Sequence, residues 1–210
     1  MNLFCIRACI TMQSDSEASN RAAASIETID RRTILEADAR AIAELLCTIW
    51  PKPDRNIDAR TVEMLHMWSD YRGPESQFPR SLVVHAGNRV IAHAEISPRT
   101  IGTSVGDLTI GALAGVCTHP SVRGKGLGRQ IVRAAFTLID DGTFPLALFQ
   151  NYADKRTFYE SLGARAIDNP IVNSLDENPR QNPFWADLAM VYPADKAWPC
   201  GEIDLRGPGY

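Results

Sequence analysis

Arg123-Gly124-Lys125-Gly126-Leu127-Gly128 is the stretch of this chain best equipped for chemistry. Three glycines at alternate positions let successive backbone N–H groups converge without interference from Cβ atoms. Arg123, Lys125 and Arg129 put three cations in the loop and the turn that follows. Leu127, Ile131, Val132, Ala135 and Leu138 then recur at helical spacing, so a helix starts here. Its unpaired N–H groups and positive dipole end face the loop. The product is an anion cradle, best suited to a phosphate or pyrophosphate. Its G-x-G-x-G spacing matches neither the dinucleotide fingerprint nor the P-loop. The plainer reading, a glycine-rich turn that only opens a helix, is outweighed by the strand before it and the flanking cations.

That strand is the apolar run from Ile110 to Cys117, closed by His119-Pro120. The order strand, glycine loop, helix needs further elements to hold it. Ser25 to Ile29 reads as a first strand. Glu36 to Ile49 carries Ala39, Ile42, Ala43, Leu45, Leu46 and Ile49 at helical spacing and stops at Trp50-Pro51. A second helix is expected over Asp58 to Asp70. Ser81 to Ala86, the Gly87-Asn88 turn and Arg89 to Ile96 read as a hairpin. Val105 to Thr118 is the strand entering the loop, and the helix after it ends near Asp141-Gly142. Pro145 to Gln150 is a short strand, Tyr152 to Leu162 a helix closed by Gly163, and Ala186 to Tyr192 a last strand.

The loop is similar to the coenzyme A pyrophosphate loop of the GNAT superfamily of N-acyltransferases, Arg/Gln-x-x-G-x-G-x-G/A. Here the arginine stands directly before the first glycine. The element order over roughly residues 25 to 192 is also that of the GNAT fold. The resemblance implies an α/β (α+β) fold, with a mixed, mostly antiparallel central sheet flanked by helices. Two parallel strands would splay apart to admit acetyl-CoA. Its pantetheine arm would pair with backbone on Val116 and Thr118, with Cys117 between them. The Val116 N–H would also polarise the thioester carbonyl. Arg123, Gly124, Lys125, Gly126, Leu127, Gly128 and Arg129 would hold the phosphates. Asn151, at a strand end, would contact the pantetheine. Phe158-Tyr159-Glu160-Ser161-Leu162-Gly163-Ala164 resembles the family's F/L-Y-x-x-x-G-F segment. Tyr159 is then the expected acid for the departing thiolate, whose solution pKa lies near 8.5. Its plainer fate is core packing. Arg156 and Lys155 reach a coenzyme A phosphate or stay solvated.

An ammonium has no lone pair, so an amine acceptor must first lose a proton. Leu108 to Cys117 contains no carboxylate to take it. The candidates are Glu95, Asp107, His119 or a water chain, and Glu95 is the choice carried forward. His93 and Glu95 share a parity on their strand. Cys117 as an acyl-bearing nucleophile is the less favoured alternative, because a buried strand cysteine is usually a small hydrophobe.

Composition bounds these readings. The 210 residues suit one domain, expected over 25–210, with a C-terminal extension from about 193 and a tail over 1–24. Leu3 to Ile10 is apolar but broken by Arg7 and short for a signal peptide, and Met12 is an alternative start. A net charge of −3 gives no general pull toward nucleic acid or anionic membranes. No apolar run approaches the roughly 18 residues of a membrane span. The five cysteines are odd in number and lack C-x-x-C spacing, and no zinc spacing occurs. Reduced thiols and a cytoplasmic protein without metal are expected.

The last stretch, WPCGEIDLRGPGY, is too apolar for a disordered end. It and Ala92-His93-Ala94 resemble the aminoglycoside 2′-N-acetyltransferases and nodulation N-acyltransferases within that superfamily. By that resemblance Glu202, Asp204 and the Tyr210 carboxylate would face a cationic acceptor. The function expected is therefore transfer of acetyl from acetyl-CoA to a primary amine by direct attack. Two alternatives stay open: a non-catalytic acyl-CoA sensor on the same fold, and another phosphate-binding α/β enzyme. The acceptor is a small or peptide amine, with room for a homodimer.

Overall fold

A computed structural model describes residues 25–210; the expected tail over 1–24 lies outside the described residues. In chain order the elements are β1 (Ile26–Asp30), α1 (Glu36–Ile49), α2 (Ile57–His66), β2 (Arg80–Ala86), β3 (Arg89–Thr103) and β4 (Gly106–Thr118). Then follow α3 (Leu127–Asp140), β5 (Ala147–Asn151), α4 (Arg156–Glu160), β6 (Arg165–Ile167), β7 (Ile171–Val172), β8 (Leu188–Tyr192) and β9 (Ile203–Asp204). The sheet runs β1-β2-β3-β4-β5-β8-β6, and β9 joins β3 to β7. Pairing along this path is antiparallel except for β4 with β5. This is the mixed, mostly antiparallel sheet flanked by helices expected from the sequence.

Each face of the sheet buries its own core. On one face α3 presents Ile131, Val132, Ala135 and Phe136, all fully buried, to Leu82, Ala94 and Ile96. Phe136 stacks on Tyr192 with ring centroids 3.8 Å apart. Side chains of this size contribute roughly 1.5–3 kcal/mol each when buried. On the other face α1 and α2 cover the β1–β4 half through Ala39, Ile42, Leu45 and Met64. The rest of that face is covered by the C-terminal stretch through Phe184, Ile203 and Leu205. The stretch after 193 is thus part of the core rather than an appendage.

Several elements depart from the sequence reading. β3 continues past Ile96 to Thr103 although it contains Pro98. β2 stops pairing at Arg80↔Ile96, so beyond that point one edge of β3 is free of it and an imino nitrogen forfeits no bond there. The helix expected over Tyr152 to Leu162 divides into a short turn at Ala153–Lys155 and α4. Strands β6, β7 and β9 are two or three residues long, too short to show a period.

Candidate active site

β4 and β5 share only two parallel rungs, Gly111↔Ala147 and Ala112↔Leu148. Beyond them β4 runs on to Thr118 and β5 to Asn151 without pairing. A gap therefore opens in the sheet, bordered by the second half of β4.

A bulge sits on that border. His93 pairs with Cys117 and Glu95 with Ala114, so Gly115 and Val116 together oppose the single residue Ala94. Gly115 takes φ +59, the left-handed glycine of a two-against-one bulge. The bulge resets which groups face the gap. The Gly111 N–H donates to the Leu146 carbonyl of the segment entering β5 at 2.8 Å, so odd-numbered amides face β5 before the bulge. The His119 N–H donates to the Ile91 carbonyl of β3 at 2.8 Å, so counting back, Cys117 faces β3 while Val116 and Thr118 face the gap. Side chains follow suit. Leu113 and Val116 pack on the α3 face, Cys117 on the α1 face. The Cys117 thiol and amide both turn away from the gap, and burial pushes its pKa up to about 12. Both features favour a protonated apolar filler over the acyl-nucleophile alternative.

The glycine loop follows after a short turn at Pro120–Val122. Gly124 and Gly126 take φ +78 and +82, and Gly126 caps α3 in the left-handed conformation. A Cβ placed on Gly124 would meet nothing within 4 Å, so the loop is open beside that residue. Arg123 and Lys125 are exposed there. Arg129 is not free. It donates to the Ser161 hydroxyl at 2.8 Å and lies over the Phe158 ring, tying α3 to the end of α4. Arg156 likewise pairs with Glu160 at 2.8 Å, an exposed bond worth little and easily exchanged.

Tyr159 comes up beside the gap on the α3 face, against Phe149 of β5 and Phe158. The residue is 7% exposed, and burial raises its phenol above the ordinary value. Its hydroxyl has no partner among the described residues, yet it is not sealed from solvent. Asn151, at the end of β5, is buried. Its side chain donates to Met190 Sδ of β8 at 3.6 Å and accepts from the Tyr152 N–H at 3.1 Å.

The candidate bases separate clearly. Asp107 is paired with Arg206 at the far end of the β3–β4 hairpin. His119 sits between Arg89 and Ser121 at the surface. Glu95 alone lies beside the bulge, on the face opposite Tyr159. Its carboxylate takes a 2.5 Å bond from Arg31, and their side chains are 15% and 1% exposed. Burial raises the Glu95 carboxyl, and Arg31 only partly offsets it. Arg31 also donates to the Met64 carbonyl at 2.6 Å. Sequence reasoning missed Arg31. It lies 64 positions from Glu95, and no local pattern announces the pair.

The chain end folds back to the rim of the gap. The Tyr210 hydroxyl donates to the Leu148 carbonyl at 3.0 Å, at the last shared rung, on the face away from Tyr159. The expected group of acidic residues is not assembled there. Asp204 accepts from the Ser174 and Arg206 N–H groups beside Gly102, and Glu202 points to solvent. Gly102 pairs with Asp107, about five residues or roughly 17 Å along β4 from that rung.

Among the described residues no group of three or more metal-ligating side chains occurs, and no helix is long and apolar enough to cross a membrane. Comparison with solved structures finds the same architecture repeatedly. A GNAT family N-acetyltransferase (YhbS) from Escherichia coli in complex with CoA aligns over 87% of this chain and 89% of its own, at 16% identity and TM-score 0.56. An acyl-CoA N-acyltransferase from Pseudomonas aeruginosa aligns over 80% of this chain and 99% of its own, at 15% identity and TM-score 0.54. A GCN5-related N-acetyltransferase from Kribbella flavida aligns over 70% of this chain at 19% identity and TM-score 0.52, and there the match spans 35% of the relative's length. At these identities the likeness is one of fold. No curated protein matches in sequence. The family profile described as the acetyltransferase (GNAT) domain matches residues 30–167, from the end of β1 through the gap, the glycine loop and α4 to β6. This chain belongs to the GNAT acetyltransferase family.

Proposed function

We propose that the protein transfers acetyl from acetyl-CoA to a primary amine by direct attack, with the reaction centred in the β4–β5 gap. The observation that carries this reading is the meeting of three features at one opening: two strand edges unpaired with each other, an open glycine loop at one end, and a phenol whose hydroxyl has no partner among the described residues. In this reading Gly124, Lys125, Gly126, Leu127 and Gly128 cradle the pyrophosphate, with Arg123 adding charge. The Val116 and Thr118 amides pair with the pantetheine, and the Val116 N–H polarises the thioester carbonyl.

Acid and base then act from opposite faces of the sheet. Glu95 faces the α2 side, where an amine would arrive. It stands one strand from β4, about 5 Å away, so it takes the amine proton through a water. Tyr159 faces the α3 side, where the sulfur would leave. Its raised pKa keeps it protonated at neutral pH. Delivery to a thiolate near 8.5 is uphill in water, but the same burial destabilises the thiolate and narrows the difference. In this reading the protein acts in the cytoplasm as a single domain over 25–210.

A panel of primary amines with acetyl-CoA, read as free thiol, tests the reading. Tyr159→Phe should lower turnover by about ten- to ten-thousand-fold with cofactor affinity nearly intact. Gly126→Val should abolish binding in a folded protein, since φ +82 and an added side chain both oppose the cradle. Unchanged turnover in Tyr159→Phe returns that residue to the core. The Arg31–Glu95 ion pair favours one rival, a sensor that binds acetyl-CoA without turnover; tight binding with no thiol release from any amine would select it.

A further inference from the structure

The bulge that aims the β4 amides is held by a side chain from the neighbouring strand. His93, 1% exposed, brings its Nδ1 to 2.9 Å from the Gly115 carbonyl. Its ring also presents the Cε1–Nδ1 edge to the bare Gly115. A Cβ there would meet His93 Cε1 and Nδ1 at 3.1 Å each. The ring thus leaves little room for a side chain at Gly115, and the contact falls at the one register shift between β3 and β4.

The proton on this ring can be located. A carbonyl only accepts, so Nδ1 carries the hydrogen and Nε2 bears a lone pair. Nε2 stands 3.4 Å from the Ser81 hydroxyl, which in turn stands 3.4 Å from Arg31 Nη1. Arg31 donates to Ser81, Ser81 to His93, and His93 to Gly115. The chain is polarised in one direction, from a buried cation to the bulge carbonyl. Burial, with the nearby Arg31 charge, keeps the ring neutral, its pKa lowered to about 4. A buried imidazole is costly unless its polar atoms are satisfied, and an aliphatic residue would fill the same space more cheaply. Among the described residues its polar contacts are these two.

We propose that His93 is a positioning residue. By bonding the Gly115 carbonyl it fixes the bulge at this point of β4 and so holds the Val116 and Thr118 amides toward the gap. Were the bulge to slide along β4, the strand's alternation would turn those amides toward β3 and bring that of Cys117 to the gap. The inference rests on the reading that the gap takes the acetyl thioester.

The test uses acetyl-CoA bearing a heavy isotope at its carbonyl carbon, bound to the full chain and read by isotope-edited infrared spectroscopy. In the wild type the bound carbonyl stretch should move to lower frequency, because a hydrogen bond polarises it. His93→Leu should lose that frequency shift and bind CoA more weakly, because the pantetheine loses its amide partners, and bind acetyl-CoA about tenfold more weakly still, the worth of one further hydrogen bond. His93→Gln, which can donate an amide N–H to Gly115, should recover most of the shift. If His93→Leu keeps the full shift, the proposal falls while the cofactor reading stands. If the wild type shows no shift although it binds acetyl-CoA, both fall. Nitrogen NMR of the wild-type imidazole gives a second check that needs no variant: hydrogen on Nε2 instead of Nδ1 would overturn the proposal.

Discussion

The glycine loop and the charged cluster behind β3 are built on opposite plans. The loop is exposed and open, its cations are near in sequence, and its backbone angles demand glycine. The cluster of Arg31, Ser81, His93 and Glu95 is largely buried, and its members come from two strands, β2 and β3, and the turn after β1. A loop that must admit an anion cannot pre-satisfy its own donors. Groups that tune a proton acceptor must be enclosed, and enclosed charges need partners wherever the fold can supply them. Changes in the loop should therefore alter affinity and leave stability alone, whereas changes in the cluster should alter rate and stability together.

The largest expected effect is on rate. Glu95→Gln should cut turnover by about a hundred- to ten-thousand-fold while acetyl-CoA affinity holds. The wild-type rate should rise with pH on a limb lying above that of an exposed glutamate, since burial raises this carboxyl, and the variant should lack that limb. A pH–rate profile checks both, and an unchanged limb would move the base elsewhere. Next comes Arg31→Leu, which strands the Glu95 carboxylate without its cation and should cost about 3–5 kcal/mol in denaturant unfolding. A loss no larger than that of a surface substitution would erase the contrast between the two regions.

The acid limb of stability comes third. His93 has its pKa lowered to about 4 in the fold against about 6.5 when unfolded, so the unfolded chain binds the extra proton first. The stabilisation is full above about pH 6.5 and is lost as pH falls toward 4, on the order of 3 kcal/mol in all. Glu95 works in the other sense, its raised carboxyl resisting acid. The informative quantity is thus the difference between wild type and His93→Gln, whose stability profile should be flatter across that window. Smallest is Lys125→Ala. It should weaken CoA only a few-fold, more at low salt than high, with no change in melting temperature. A large stability loss there would show the loop to be structural after all.

The same contrast explains how far the sequence could be read. The loop, α3 and the Tyr159 segment are encoded within a few neighbouring residues, and glycine spacing or helical period reveals them. The hairpin β2–β3 shows itself through Gly87-Asn88. The gap followed only from family likeness, because nothing local distinguishes a strand that pairs for two rungs from one that pairs along its length. Glu95 was visible as a candidate but not its partner, since Arg31 approaches it from 64 positions away. The bulge was hidden because Gly115 inside an apolar run does not say which way the register shifts. Asn151 shows a similar limit: its distance from Tyr159 was countable, but not the Met190 sulfur its side chain meets.

The two shared rungs between β4 and β5 also have a mechanical consequence. The molecule is two stiff plates joined by a short seam. One plate is β1 to β4, and the other is β5, β8 and β6. The Tyr210 phenol is a clasp on the last stitch of that seam, and β9 is a strap running beneath it from β3 to β7. Bending should concentrate where so few bonds resist it. The Gly111 amide, bonded to Leu146 across the seam, is then the place where amide exchange would report the plates parting. The width of the opening would be governed from the far end of the chain, by one hydroxyl that never meets the chemistry.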